Sequence, residues 1–383
     1  MLGETLELAE NTWFIQGEMP TDASKAPDWC NVVIYRAADR VYLVDTGGGY
    51  AMRASIEQVL REIGPAESFT LINTHSHLDH ICNNDVILTA RAEVKRHYLL
   101  AAAIDFAKTD FAAHMAEEFE YLDSIYDPFS SYQTNRRRYR FAGLLRDGLG
   151  FFAGRERVLR RLFNIQFRKF KPVNDSFETM QPLDDLPGKP LCFGDVSWTG
   201  WRLGGDDVLV FQGSAHAPGD VLVYIPEHKM LCAGDITFPL FPTFHDSSRD
   251  RILECLRKGL AMARNGSVEI LADGHGDRCY RGGAEVEGLL DGVIADHLAY
   301  EQILREIFVA SDGLTPHEVY RAFTTFTDRP VVNRYLSLEF PHTPPSLQNV
   351  MVTTLLQLGF HARGPNRHKR FYRDTNLPAA PLA

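Results

Sequence analysis

The chain of 383 residues has little cysteine: Cys30, Cys82, Cys192, Cys232, Cys255 and Cys279, with no CxxC pair and no cluster. That scatter excludes a disulfide scaffold. No apolar run approaches the roughly 18 residues that would suggest a transmembrane helix. The first residues, MLGETLELAENTW, are acidic and hold no apolar stretch, so no signal peptide is expected and a cytoplasmic location is the default reading. Internal repeats and low-complexity tracts are lacking as well. Positive charge is in short supply, with 40 Lys+Arg against 50 Asp+Glu and a net charge of −10. That balance argues against a general nucleic-acid binder, which needs a basic surface.

What is present is ordinary globular material, 45% hydrophobic and 23% charged, enough to bury a large core without covalent staples. At roughly 150 residues per domain, the length suggests two or three domains. The charge is uneven. Arg136 to Lys171 contains 12 Lys+Arg and 2 Asp+Glu, which leaves 28 against 48 for the remainder. One basic island, interleaved with phenylalanine and tyrosine, interrupts an acidic chain.

Short apolar runs at Trp13–Gln16, Asn31–Arg36, Val41–Val44 and Phe69–Asn73 read as strands. A helix from about Ala51 carries Ile56, Val59, Leu60 and Ile63 on one face and stops at Gly64-Pro65. Strands recur at Val208–Gln212, Val221–Ile225, Met230–Ala233 and Val268–Ala272, and helices at about Ser248–Arg264 and Gly283–Ala310. In the tail, Thr315-Pro316 looks like a helix start. A helix then spans Ser346–Leu358, and two short strands flank Gly364-Pro365-Asn366.

The densest chemistry is Thr74-His75-Ser76-His77-Leu78-Asp79-His80, which holds three of the chain's 14 histidines within six residues. In extended chain, residues i and i+2 point the same way, so His75 and His77 can chelate one ion. Asp79 and His80 follow where a turn can aim them at a second ion about 3.5–4 Å away. Imidazole and carboxylate donors suit zinc, iron or manganese. Three further strand-to-loop points offer donors beside glycine: His216 in Gly213–Asp220, Asp235 after Gly234, and His275 in Asp273-Gly274-His275-Gly276. Each alone reads as a turn histidine or a capping aspartate; with the first motif they form a set.

In this order the motifs resemble the metallo-β-lactamase superfamily. His75, His77, Asp79 and His80 match its HxHxDH signature, and His216 lies in a GHxPG-like turn. Asp235 and His275 match the later ligands, and Asp45 in Val44-Asp45-Thr46-Gly47-Gly48 matches an early strand-end aspartate. The resemblance covers residues 10–98 and 190–290. It implies an α/β (α+β) fold, the four-layer αββα sandwich, with two divalent metal ions at one edge, zinc first and iron or manganese as alternatives. His75, His77 and His216 would form one metal site and Asp79, His80 and His275 the other. Asp235 would bridge them, and Asp45 would orient ligands. The full set looks more like glyoxalase II and lactonases than a class B lactamase, which often lacks one ligand and is secreted. The sequence departs from the family in two places. Cys82-Asn83-Asn84 stands where a glycine pair usually follows the last histidine of the signature, and Ala217 and Asp220 replace the usual Thr and Ser around His216.

The implied activity is hydrolysis of a small carboxylic ester, lactone, thioester or amide by a metal-bridging hydroxide, with Asp79 as the catalytic proton shuttle. A diiron oxygenase of the same fold, and a phosphodiesterase or nuclease, are the alternatives. Between His80 and His216 lie 135 residues, more than a minimal member of the family needs. The expected domains are therefore a sandwich (1–98 and 190–312), an inserted helical cap (99–189) and a C-terminal winged-helix-like unit (313–383). Arg136, Arg137 and Arg138 in the cap are candidates for steering an anionic substrate. A solvated face, a homodimer contact or a membrane-surface contact are the other readings of that island. His245, on the proline-stiffened loop Phe238–His245, is a candidate hydrogen-bond donor to substrate. The expected partner is a small-molecule substrate, with no nucleic acid, despite the basic tail hairpin of Arg363, Arg367, Lys369, Arg370 and Arg373.

Overall fold

The structure is a computed structural model that describes residues 2–17, 29–108, 120–122, 124–126, 176–237, 247–276, 279–337 and 346–373. The chain divides into two compact units. The first comprises Met1–Phe111, Asn164–Phe238 and Asp250–Ile294; the second comprises Ala112–Phe163, Pro239–Arg249 and Ala295–Ala383.

Among the described residues of the first unit, seven strands form one sheet: β1 (Thr5–Ala9), β2 (Thr12–Ile15), β3 (Val32–Ala37), β4 (Arg40–Val44), β5 (Ala66–Ile72), β6 (Ala92–Leu99) and β7 (Met180–Pro182). Pairing is antiparallel from β1 to β4 and parallel from β4 to β7. Seven more form a second sheet: β8 (Lys189–Phe193), β9 (Val196–Leu203), β10 (Val208–Gln212), β11 (Val221–Ile225), β12 (Met230–Cys232), β13 (Ile270–Ala272) and β14 (Cys279–Arg281).

Both faces of the central strands are covered, which is why they read as continuous apolar runs rather than alternating ones. In β3, Val33 and Tyr35 join Val210, Val221, Val223 and Ile225 in the core between the sheets. Val32 and Ile34 point the other way, against Met52, Ile56 and Val59 of α1 (Gly49–Ile63). That helix buries one stripe and ends at Gly64 in a positive-φ conformation (φ 80°). After β5 come two short helices, α2 (Leu78–Ile81) and α3 (Val86–Thr89), and after β6 comes α4 (Ala101–Lys108). The second sheet is covered by α5 (Arg249–Arg264), whose Met262 sulfur accepts a bond from Trp198 Nε1 at 3.2 Å. The layers are therefore αββα. Each fully buried Val, Leu, Ile or Phe contributes about 1.5–3 kcal/mol. Exposed ion pairs such as Lys229–Glu269 contribute about 0–1 kcal/mol, so the apolar layers hold the sandwich together.

Two segments inside the stretch expected to be a cap, Ala101–Lys108 and Met180–Pro182, belong to this first unit, and β7 is an edge strand of its sheet. Residues 127–175, including Arg136, Arg137 and Arg138, lie outside the described residues, as does His245.

In the second unit α6 (Gly283–Ala310) contributes its later turns. It is followed by α7 (Pro316–Phe323), α8 (Pro330–Ser337), α9 (Ser346–Gln357) and a hairpin of β15 (His361–Arg363) and β16 (Arg370–Tyr372). Thr315 caps α7 as its Thr-Pro start suggests: its hydroxyl accepts the Glu318 N–H, and the Glu318 carboxylate accepts the Thr315 N–H at 2.8 Å. Tyr300 stacks on Tyr335 at 4.5 Å and meets Phe323 edge-on. We propose to read these helices and hairpin as the winged-helix-like unit. Among the described residues no helix is long and apolar enough to cross a membrane.

One buried group makes the fold sensitive to acid. His97 on β6 is fully buried, and burial pulls its pKa down to about 3. Its Nε2–H donates to Asn73 Oδ1 at 2.8 Å, and its Nδ1 accepts from the Thr179 hydroxyl at 3.0 Å. Above pH 6.5 both folded and unfolded states hold it neutral. As pH falls from 6.5 towards 3 only the unfolded chain takes up the proton, so stability drops by up to about 1.4 kcal/mol per pH unit from this group. Urea melts between pH 7 and pH 5 should show this loss, and His97→Gln should have a shallower slope. An unchanged slope would contradict it.

Candidate metal centre

Strand ends deliver the expected ligand residues to one place in the first unit. β5 ends at Ile72, and the chain leaves it through His75 and His77 to α2, which carries Asp79 and His80. His216 stands in the loop between β10 and β11. Asp235 follows β12 in a single 3-10 turn, Gly234–Thr237. His275 follows β13. Apart from His77 and Asp79, which are half-buried, all are buried.

Their side chains form two groups of four, in each of which the donor atoms lie within 4.8 Å of one another. One is His75, His77, His216 and Asp235; the other is Asp79, His80, Asp235 and His275. In the first, His75 Nε2 and His216 Nε2 stand 2.9 and 3.4 Å from His77 Nδ1, and 4.0 and 3.6 Å from Asp235 Oδ2. In the second, Asp235 Oδ1 is 3.4 Å from both His80 Nε2 and His275 Nε2. Asp79 Oδ2 lies 3.7 Å from His80 Nε2 and 3.2 Å from His275 Nε2. Four donors about 2.0–2.1 Å from a tetrahedral ion stand roughly 3.3 Å apart. These edges, from 2.9 to 4.0 Å, bracket that length, and Asp235 turns one oxygen to each group.

Two atoms test the fit of a cation directly. His80 Nε2 and Asp235 Oδ1 are buried and make no hydrogen bond, although they face each other. Buried polar atoms are rarely left so, and a divalent ion satisfies both. The protonation pattern agrees. Burial pulls His75 well below the normal histidine range and His77 down to about 3, which leaves both as neutral donors. Burial also opposes a charge on His80 and His275. Yet Cys30, Asp45, Asp235 and Asp79 hold His80 well above its usual value, and Asp235 and Asp79 do the same for His275. Burial disfavours the charge on Asp235 and Asp79, but those two histidines outweigh it and keep both carboxylates ionised. The pocket demands positive charge, and without an ion protons supply it.

Residues 27–154 match the sequence profile of the metallo-beta-lactamase superfamily. Over that stretch the chain is similar to the metallo-beta-lactamase superfamily. Solved structures agree on the fold. A metallo-beta-lactamase family protein from Thermus thermophilus is 17% identical with a TM-score of 0.54, covering 96% of this chain and 100% of its own. A beta-lactamase domain protein from Burkholderia ambifaria is 17% identical with a TM-score of 0.55, covering 98% and 96%. A stereoselective inverting sec-alkylsulfatase from Pseudomonas sp. is 14% identical with a TM-score of 0.52, and this chain spans 51% of its length. No match was found among curated protein sequences.

Within this site, Asp45 works from behind. It sits at φ 57° just past β4, where its carboxylate accepts from the Thr74 N–H at 2.8 Å and the Thr74 hydroxyl at 2.7 Å. It also stands 2.9 Å from His80 Nδ1. Holding a proton on Nδ1 turns Nε2 to the cluster. The departures noted from sequence are explained by this buried layer. Asn84 bonds Asn73 and accepts from the Thr46 hydroxyl, and Asn83 holds the carbonyls of Thr46 and Gly49. Thr46 N–H and the Asn73 amide both donate to the His80 carbonyl. Asp220 accepts from the N–H groups of Ala215 and His216 and so fixes the turn that carries His216. Cys82 is a buried core residue with its thiol pushed up to about 12, and it belongs to neither donor group.

Sequence reading missed two neighbours. Cys30, at the entry to β3, lies with Asp45 and His80 behind the site, its thiol pushed up to about 11 by burial. Phe106 on α4 sits against His77, ring centres 5.8 Å apart. Only the pairing of β6 beside β5 brings α4 there, so no local motif signals it. A backbone constraint is equally hidden: a Cβ on Gly274 would lie 2.2 Å from Asp235 Oδ1.

Two substitutions follow. Asp45→Ala should weaken zinc binding by about 10–100-fold, measured by competition with a chromogenic chelator. Gly274→Ala should displace Asp235 and lower metal content with the far-ultraviolet circular dichroism spectrum retained. Wild-type zinc affinity in both folded variants would contradict the assigned geometry.

Proposed function

We propose that the domain holds two divalent ions, one at each group, and hydrolyses a small carboxylic ester, lactone, thioester or amide. The observation that carries this reading is the shared Asp235 carboxylate, one oxygen toward His75, His77 and His216 and the other toward Asp79, His80 and His275. Zinc is the expected ion, from three imidazoles and one carboxylate on one side and two of each on the other. When bound, such ions supply Lewis acidity and make water acidic enough to ionise near neutral pH.

The chain's own residues do the rest. His75, His77 and His216 are neutral donors fixed by burial. Asp45 sets the tautomer of His80. Asp79 is 24% exposed at its side chain, against 8% or less for Asp235 and the buried histidines of the set. It is thus the carboxylate a substrate meets first and the group placed to accept a proton from the attacking water. Phe106, beside His77, offers an apolar surface at the same edge, which favours a substrate whose group on that side is hydrocarbon.

Two experiments test this. Metal-loaded protein should hydrolyse at least one member of a chromogenic panel of esters, lactones and thioesters, and chelation should abolish the activity. Full activity in protein shown to be metal-free would contradict it. Two irons with oxygen consumption would select the oxygenase alternative, and turnover confined to phosphodiesters or alkyl sulfates would move the substrate class. Phe106→Ala should lower kcat/KM for long-chain acyl esters by about tenfold more than for acetyl esters. Equal losses across the series would remove Phe106 from the substrate site.

A further inference from the structure

The second unit contains an open surface hollow of about 680 Å³ that the hydrolase reading leaves unused. This lies within the roughly 300–1,000 Å³ range of small-molecule sites. Its apolar lining comes from Ile125, Leu356, Phe360 and Ala362, and two cations, Arg363 and Lys369, stand at it. Main-chain pairing builds the walls. Lys369 N–H donates to the Ile125 carbonyl at 2.9 Å, Tyr126 bridges to His368, and the Tyr126 hydroxyl bonds Asn349 on α9. The hollow between segment 124–126, the end of α9 and the hairpin is thus held open by backbone geometry.

The charges decide what it fits. Among the described residues no carboxylate lines the cavity, and neither Arg363 nor Lys369 has an ion-pair partner. Arg363 lies over the Tyr372 ring at 5.9 Å. Another cation of the hairpin is occupied: Arg370 bonds the Gly313 carbonyl at 2.5 Å and pairs with Glu318 at 3.1 Å. Two cations beside an apolar floor match a ligand with one anionic head and a hydrocarbon body. A guanidinium takes a carboxylate in a two-pronged bond, and the floor then covers the chain. Inorganic phosphate would leave the floor uncovered, and a nucleic-acid backbone would gain nothing from it. Ser124 at this hollow donates its hydroxyl to the Tyr121 carbonyl at 2.6 Å.

We propose that this cavity binds a medium-chain carboxylate, its head on Arg363 and Lys369 and its chain on Leu356, Phe360 and Ala362. The test is calorimetric titration of the metal-loaded full chain with octanoate, octanol, acetate, inorganic phosphate and a duplex oligonucleotide. Octanoate should bind saturably. Affinity should rise by up to about fourfold per methylene from butanoate to octanoate, and octanol and acetate should bind more weakly. The double substitution Arg363→Ala, Lys369→Ala should weaken octanoate by about tenfold or more, and Ala362→Trp should block it by filling the cavity. Circular dichroism checks that both variants remain folded. The proposal is overturned by lack of saturable octanoate binding or by binding that both variants leave unchanged. Binding that survives the variants but disappears on chelation would place octanoate at the metal centre and overturn it too. So would phosphate or oligonucleotide binding as tight as octanoate and lost in the double variant.

Discussion

Asp235 is the residue on which the candidate metal centre turns. Its carboxylate is buried, ionised and shared, with each oxygen facing a different set of donors. A buried carboxylate of this kind is costly unless positive charge lies beside it. The remaining ligands come from separate strand ends, and their arrangement answers that cost. His80 and His275 hold protons against their burial because Asp235 and Asp79 require it. Two ions in place of those protons would satisfy the same demand, since the donor edges bracket the length that tetrahedral coordination needs.

The sandwich exists to make that convergence rigid. Ligands leave β5, β10, β12 and β13, and these strands are packed on both faces by side chains that cannot move without opening voids. Behind the ligands a polar layer replaces the apolar one. Asp45, Thr46, Asn73, Thr74, Asn84 and His97 are all buried, and each bonds another member of the layer or the His80 main chain. A buried network whose members bond one another specifies one arrangement.

Much of this was legible in the sequence because it is local. The run from His75 to His80 is six residues long, and the strands around it announce themselves by continuous Val, Leu and Ile. β10, β11 and the helix Gly283–Ala310 lie where the pattern put them. What could not be read was non-local or polar. β6 carries exposed Glu93, Lys95 and Arg96 among its apolar residues, so it lacks the signature of a buried strand. β7, three residues long, lies in the first sheet only because β6 accepts it. Phe106 reaches His77 through that same pairing. Cys82 drew notice by standing beside the signature, whereas Cys30, distant in sequence, is the thiol that lies behind His80.

The central claim concerns the number of ions and the residue they share. Anomalous diffraction from a zinc-loaded crystal tests it most directly. The account predicts two anomalous peaks, one within bonding distance of His75, His77 and His216 and the other of Asp79, His80 and His275, with one Asp235 oxygen on each. No peak at this site, or peaks that leave Asp235 unliganded, would contradict it.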